Sequence, residues 1–211
     1  MIDLYTWSTP NGHKASILLE ETALPYAVHP IDLGAGEQLT RAFTSINPSQ
    51  KIPAIVDHDA AGGPLTLFES GAILIYLAEK TGQLLSTDVR QRADTLQWLM
   101  FQMSQVGPII GQAGHLVNQA TENVPYAIQR FLAESERIVG VLEHALRGRD
   151  YLSGAYSIAD IATYPWIEVA WGPLTSMMPE QAAALGNVRR WLDRMAERPA
   201  VQRGMRVPQT T

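Results

Sequence analysis

Residues 51–73, KIPAIVDHDAAGGPLTLFESGAI, hold two short apolar runs separated by a Gly- and Pro-containing segment. The runs Pro53–Val56 and Leu65–Phe68 have the length and side chains typical of strands, and the segment between them favours an antiparallel hairpin. A helix is predicted to follow from Glu69 to Lys80, and Thr81-Gly82 is a suitable helix end. This ββα pattern predicts the second half of a small α/β domain.

The residues before this hairpin predict a βαβ unit. Apolar periodicity in residues 15–19, preceded by the turn and helix-start residues 8–12, predicts the first helix. The other predicted elements are strands at Ile2–Trp7, Tyr26–Leu33 and Ile52–Val56 and a second helix at Glu37–Ile46. The order βαβ followed by ββα is that of a thioredoxin-like domain.

Beyond residue 87 the chain contains only long amphipathic stretches. The predicted helices are Val89–Gln119, Pro125–Leu146, Ser157–Trp171 and Ala183–Arg198. Ser157 and Asp160 have the spacing of a helix-capping pair. We therefore predict two domains, a thioredoxin-like domain at 1–81 and an all-helical domain at 88–211.

Composition excludes several classes of function. With 16 Lys+Arg against 21 Asp+Glu and a net charge of -5, the chain lacks the basic field that nucleic acids require. The N-terminus has no signal-peptide pattern and no apolar run is long enough to span a membrane, so we predict a cytoplasmic protein. The chain has 0 Cys and no His pair at metal-ligand spacing, which argues against a thiol nucleophile and against a metal site.

Two motifs in the first domain are suited to a peptide-like ligand. In Lys51-Ile52-Pro53 a cis X-Pro bond is readily accommodated, and the Ile52 N–H and C=O can pair with an extended ligand. At Glu69-Ser70 the start of a helix offers N–H groups and partial positive charge to a carboxylate, while Glu69 can bind an ammonium group. The pair predicts a ligand with an α-amino acid head.

These motifs, together with Ser157-Ile158-Ala159-Asp160 in the helical domain, resemble the cytosolic glutathione transferase family. Further segments look like its bacterial Nu class, whose members are glutathione-dependent disulfide-bond oxidoreductases: Thr9-Pro10-Asn11-Gly12-His13-Lys14, Asp32-Leu33-Gly34 and Pro125-Tyr126-Ala127-Ile128. The resemblance implies the glutathione transferase fold, glutathione as cosubstrate, small disulfides or electrophiles as second substrates, and a homodimer.

The resemblance also implies a role for each matched residue. Ile52 pairs with the cysteinyl backbone of glutathione, and Glu69 with Ser70 holds the γ-glutamyl head. Gln38 and Lys51 face the glycyl end, Thr9 and Asn11 face the sulfur, and Arg130 of the helical domain helps to hold the tripeptide.

Other interpretations of single residues stay open. Thr9 alone is a typical helix cap, and Arg130 alone is a typical surface arginine. Tyr5 and Ser8 are rival groups for activating the sulfur. His13 and Lys14 are expected on the exposed first turn of the first helix.

The leading predicted function is glutathione-dependent disulfide reduction, in which the thiol comes from glutathione because the chain has no cysteine. The alternatives are conjugation of glutathione to small electrophiles, which starts from the same thiolate, and a non-catalytic glutathione-binding protein.

Overall fold

The computed structural model of the chain describes residues 1–177, 180 and 183–209 and divides into two compact units. The first unit contains Met1–Ser86 and residues 196–209, and the second lies within Thr87–Met195. The predicted domain limits differ from this division because the C-terminal segment packs with the first unit. Residues 178, 179, 181, 182, 210 and 211 of the predicted helical domain lie outside the described residues.

A four-stranded sheet forms the centre of the first unit. Its strands are β1 (Ile2–Thr6), β2 (Tyr26–Pro30), β3 (Ala54–Asp57) and β4 (Leu65–Phe68), in the spatial order β2-β1-β3-β4. β1 and β2 are parallel, whereas β1 with β3 and β3 with β4 are antiparallel. The predicted βαβ-ββα order and the predicted hairpin are confirmed.

Helices cover both faces of this sheet. Side chains alternate between the faces of β1, so that Leu4, which is fully buried, and Tyr5 point in opposite directions. Tyr5 packs with Phe43 of α2 (Arg41–Thr44), whereas α1 (Pro10–Thr22) and α3 (Ser70–Thr81) pack against each other on the Leu4 face. Every residue of α1 from 12 to 19 is buried.

The prediction of one continuous helix at Glu37–Ile46 is wrong. The structure has a 3-10 turn at Glu37–Leu39, followed by α2. Thr40 between them is extended, with φ -66° and ψ 151°, and its hydroxyl accepts a hydrogen bond from Phe43 N at 3.3 Å. Thr40 therefore ends one helical turn and caps the next.

The second unit is a bundle of helices. They are α4 (Val89–Phe101), α5 (Gly107–Asn118), α6 (Pro125–Ala145), α7 (Ile158–Met177) and α8 (Gly186–Ala196). α4 and α5 form the predicted long helix, but a π-helical segment, Gln102–Val106, joins them. Pro108 follows this segment. Proline has no N–H, and inside a regular α-helix its ring would clash with the carbonyl four residues earlier.

Asp160 organises the start of α7. It is fully buried; its Oδ1 accepts hydrogen bonds from Leu152 N at 2.9 Å and Trp191 Nε1 at 3.0 Å, and its Oδ2 accepts from Ser157 N at 3.1 Å. Ser157 Oγ in turn accepts from Ala159 N at 3.3 Å. The predicted capping pair of Ser157 and Asp160 is confirmed. Burial raises the pKa of Asp160 to about 6, against the opposing effect of its hydrogen bonds.

The C-terminal helix α9 (Pro199–Gly204) packs on α1 within the first unit. A Cβ atom at Gly204 would lie 2.5 Å from Ile17 Cα, so only glycine allows this approach. Ser16 Oγ donates to the Gly204 carbonyl at 2.7 Å. Arg198 binds Glu21 through two hydrogen bonds of 2.8 and 2.9 Å.

Candidate functional site

Three chain segments meet at one edge of the sheet. Tyr5 at the end of β1 is paired with Ala54 at the start of β3, and Ala54 is paired with Phe68 at the end of β4. Neighbouring strands are about 4.8 Å apart, so these three paired residues span roughly 10 Å. The chain segments next to them contain six of the predicted site residues. We call this set the strand-end site: Thr9, Asn11, Lys51, Ile52, Glu69 and Ser70.

Thr9 is the N-cap of α1. It is extended, with φ -140° and ψ 159°, and its Oγ1 accepts a hydrogen bond from Gly12 N at 3.3 Å. Among residues 1–177, 180 and 183–209, no acceptor is bonded to the hydrogen of this hydroxyl. Thr9 can therefore cap the helix and donate to a negatively charged atom at the same time.

The first turn of α1 lies directly against the end of β1. A Cβ atom at Gly12 would lie 2.2 Å from the Trp7 carbonyl oxygen and 2.5 Å from Thr6 Oγ1. Asn11, half-buried, precedes this contact. The close approach holds the positive end of the α1 dipole beside the strand end.

The Ile52 loop leaves main-chain groups available at the same edge. The Ile52-Pro53 peptide bond is cis, in line with the prediction that the motif accommodates this form. Buried Asn47 shapes the loop, because its side-chain amide donates to the Lys51 carbonyl at 2.6 Å and accepts from Ser49 N at 2.9 Å. In the part of the chain that the structure describes, no hydrogen bond engages the N–H or the C=O of Ile52.

Glu69 has an unusual backbone conformation at the start of α3. Its φ of 69° and ψ of 111° place a non-glycine residue in a region that L residues rarely adopt. Strain of this kind concentrates at functional sites. The Glu69 side chain is exposed and makes no capping hydrogen bond, whereas Ser70 beside it is buried. A carboxylate ready to bind a cation thus lies next to a hydroxyl at a helix N-terminus.

Lys14 is a residue beside the strand-end site whose position the sequence analysis missed. The expectation that His13 and Lys14 are exposed is wrong: both are buried, and Lys14 is only 1% exposed. Lys14 Nζ donates to Ser70 Oγ at 3.4 Å. Burial lowers the pKa of Lys14 to about 7, and the negative charge of Glu69 partly offsets this effect. The sequence signal for this burial is the small or apolar character of residues 15–19, which indicates a helix without an exposed face.

Gln38, Lys51 and Arg130 complete the predicted set. Gln38 lies in the 3-10 turn, and its Oε1 is buried and accepts no hydrogen bond from the described residues. Lys51 is exposed beside Ile52, and Arg130 is exposed on α6 in the second unit. The side-chain amide of Gln38 therefore has an acceptor available to a ligand.

Tyr5 and Ser8, the other candidates for activating the sulfur, differ in their surroundings. Tyr5 stacks on His29 with ring centroids 4.7 Å apart, and burial raises the pKa of Tyr5. Its ring therefore packs in the cluster around Phe43, and a raised pKa makes its hydroxyl a poorer proton donor. Ser8 is exposed in the loop before α1.

The second unit contains an apolar cavity of about 270 Å³ between α5, α6 and α7. Ala113 and Gly114 contribute to its wall, whereas His115 is exposed and approaches Gln119. Within the described ranges, no three His, Asp or Glu side chains come together as metal ligands. Nor does any described helix have the length and apolar character needed to cross a bilayer.

Comparisons with known proteins assign the chain to a family. The model of the glutathione S-transferase N-terminal domain matches residues 1–79, and that of the C-terminal domain matches residues 125–194. The disulfide-bond oxidoreductase YfcG of Escherichia coli is 48% identical over 95% of this chain and 92% of its own. The disulfide-bond oxidoreductase YghU of the same organism is 38% identical over 99% of this chain and 75% of its own.

Solved structures agree in fold. A glutathione transferase from Burkholderia graminis, with two glutathione molecules per subunit, matches 100% of this chain and 89% of its own at 47% identity and a TM-score of 0.93. A glutathione transferase from Pseudomonas putida, with one glutathione disulfide per subunit, matches 98% of this chain and 91% of its own at 44% identity and a TM-score of 0.91. The chain belongs to the glutathione S-transferase family of enzymes and has the fold of that family.

Proposed function

We propose that this enzyme binds glutathione at the strand-end site and uses the glutathione thiolate to reduce disulfides. The observation that carries the proposal is the 48% identity to the disulfide-bond oxidoreductase YfcG over 95% of the chain. The chain itself has 0 Cys, so the reducing sulfur must come from the ligand.

Each part of the strand-end site suits one part of glutathione. The Ile52 N–H and C=O pair with the cysteinyl main chain, as in strand addition. Glu69 binds the glutamyl ammonium group, and Ser70 with the α3 N-terminus binds the glutamyl carboxylate. Gln38 and Lys51 take the glycyl end.

The first turn of α1 stabilises the thiolate. A cysteine thiol has a pKa of about 8.5, and lowering it by about two units takes about 2.7 kcal/mol of preferential stabilisation. A hydrogen bond to a charged group contributes about 1.5–3 kcal/mol, and the helix N-terminus adds up to about 1 kcal/mol. The Thr9 hydroxyl supplies the hydrogen bond, and the N–H near Asn11 supplies the contribution of the helix N-terminus at the start of α1.

Two molecules of glutathione complete the reaction. The bound thiolate attacks one sulfur of the substrate disulfide, which forms a mixed disulfide and releases the first substrate thiolate. A second glutathione thiolate attacks the glutathione sulfur of the mixed disulfide, which forms glutathione disulfide and releases the second substrate thiolate. Relatives crystallised with two glutathiones or with glutathione disulfide support this stoichiometry.

Several finer features are part of the same proposal. The chain forms a homodimer in the cytoplasm. Leu65 and Phe68 on the edge strand β4 are 36% and 37% exposed, which supports an apolar contact with a second copy.

We expect the purified protein to reduce bis(hydroxyethyl) disulfide with glutathione faster than it conjugates glutathione to chlorodinitrobenzene. Thr9→Val removes the hydroxyl at nearly constant volume and should lower kcat/KM for the disulfide by about 10- to 100-fold, the equivalent of one hydrogen bond to a charged group. Thr9→Ser, which keeps the hydroxyl, should retain most of the activity.

Thr40→Val is the matched control, because Thr40 also caps a helix through a 3.3 Å hydrogen bond. It should lose stability as Thr9→Val does but keep its activity. Conjugation faster than reduction would make the protein a conventional transferase. Glutathione binding without either activity would favour a binding protein.

A further inference from the structure

Asn11 and Gly12 form the pair of residues in this chain that spontaneous chemistry alters most easily. The other asparagines, at positions 47, 118, 123 and 187, precede proline, glutamine or valine, whereas Asn11 alone precedes glycine. Asparagine is labile when the next main-chain nitrogen can reach its side chain, and glycine hinders that nitrogen least because it has no Cβ atom. The reaction is deamidation, which turns the side-chain amide into a carboxylic acid.

The fold fixes this pair at the start of α1. A side chain at position 12 is excluded, because a Cβ atom there would lie 2.2 Å from the Trp7 carbonyl oxygen. Asn11 is the second residue of α1 and follows the N-cap Thr9 by two positions. In the proposed function this turn stabilises the glutathione thiolate. A labile amide therefore occupies a place where an added negative charge is unfavourable.

The folded first turn opposes deamidation. The Gly12 nitrogen must give up its proton and reach the Asn11 side chain, but the Gly12 N–H donates to Thr9 Oγ1 at 3.3 Å and Gly12 is buried. The helical backbone at Asn11 also has to rotate before a ring can close. The reaction therefore proceeds from an opened first turn, and its rate follows the population of that opened form.

We propose that Asn11 is a modification site at which deamidation inactivates the enzyme, and that the Thr9 cap controls the rate. In the opened turn the deprotonated Gly12 nitrogen attacks the Asn11 Cγ atom and a C–N bond forms. The bond from Cγ to Nδ2 then breaks, and the leaving nitrogen takes a proton from solvent and departs as ammonia. Water opens the resulting succinimide and leaves aspartate or isoaspartate at this position, so the overall reaction consumes water and releases ammonia.

The loss of activity rests on the proposed function. Either product adds a negative charge next to the groups that stabilise the thiolate, and a like charge raises the pKa of the glutathione thiol. Isoaspartate also lengthens the main chain within the first turn of α1. A rise of about two pKa units would cancel the proposed lowering and reduce the thiolate fraction at neutral pH more than about 10-fold. We expect kcat/KM for disulfide reduction to fall by the same factor.

Peptide mass spectrometry of the incubated protein tests this site. Wild type, Thr9→Val and Thr40→Val are kept folded in mildly alkaline buffer, and the converted fraction of Asn11 is measured over time. Thr9→Val should deamidate about 5-fold faster than the wild type, the equivalent of about 1 kcal/mol of lost capping. Thr40→Val loses a cap of equal hydrogen-bond length at α2 and should deamidate at the wild-type rate.

The same proteins unfolded in urea are the control for local sequence. Unfolding removes the cap, so the wild type and Thr9→Val should convert Asn11 at equal rates in urea, and both faster than in the folded state. The comparison of folded with unfolded wild type keeps the test valid if Thr9→Val fails to fold. Equal rates in folded and unfolded wild type, or in folded wild type and folded Thr9→Val, would overturn the inference.

Disulfide reduction measured on the same samples links the modification to function. The wild type should lose activity in proportion to the conversion of Asn11, whereas Asn11→Ala, which cannot form the succinimide, should keep its own initial activity. Unchanged activity after conversion would contradict inactivation at this site. If fresh wild type has no glutathione-dependent activity but Asn11 deamidates as expected, the proposed function falls and the modification site stands.

Discussion

Gly12→Ala is expected to lower the free energy of unfolding by about 3 kcal/mol and to remove most of the glutathione-dependent activity. The added Cβ would lie 2.2 Å from the Trp7 carbonyl oxygen, a backbone atom that no side-chain movement can clear. The first turn of α1 must therefore shift away from β1. Overpacking of this kind costs about 1–3 kcal/mol, and the shift also displaces the Thr9 cap. Urea denaturation and the disulfide reduction assay measure the two effects.

Gly140→Ala is the control for this substitution. Gly140 lies in the middle of α6, it is exposed, and a Cβ there would meet nothing within 4 Å. Alanine favours the helix by about 1 kcal/mol over glycine, so this variant should be slightly more stable and fully active. If Gly12→Ala has wild-type stability and activity, the close contact of α1 with β1 is not needed.

Asp160→Ala is expected to cost about 3–5 kcal/mol of the free energy of unfolding. The substitution leaves four buried donors without this acceptor: Leu152 N, Trp191 Nε1, Ser157 N and Ser157 Oγ. Unsatisfied buried donors each cost about 1–3 kcal/mol, and the lost side chain leaves a small cavity. Urea denaturation followed by tryptophan fluorescence measures this loss directly, because Trp191 is one of the three partner residues.

Asp88→Ala is the control that separates the effect of burial on stability from the effect of helix capping. Asp88 caps α4 by accepting hydrogen bonds from Arg90 N at 3.1 Å and Gln91 N at 2.9 Å, but it is exposed to water. Its loss should cost only about 1 kcal/mol. A loss in Asp160→Ala no larger than in Asp88→Ala would contradict the structural role of the buried carboxylate.

The strands and the positions of the two motifs at the strand ends were predictable because each depends on local sequence. Alternating apolar residues identify β1, and the turn between β3 and β4 sets the hairpin, so the edge that carries Ile52 and Glu69 follows from topology alone. Ser157 and Asp160 were predictable for the same reason, since a capping pair acts within one helical turn.

Features that depend on packing were not predictable. Residues 15–19 indicate a helix without an exposed face, but they do not show that α1 lies between α3, the sheet and α9, so a lysine on its first turn was expected in water. The break at Thr40 accompanies the packing of Phe43 in the cluster with Tyr5, a contact between distant residues. The strained backbone of Glu69 has no sequence signature, because a positive φ is normally predicted at glycine and not at glutamate.

The protein is expected to hold glutathione as a thiolate, and ultraviolet absorbance of the thiolate tests this directly. The chain has 0 Cys, so any thiolate absorbance in the complex belongs to glutathione. A pH titration of the complex should give a thiol pKa about two units below the ordinary value of about 8.5, with Thr9→Val moving it back towards that value. A bound thiol that titrates as it does in free glutathione would contradict the account.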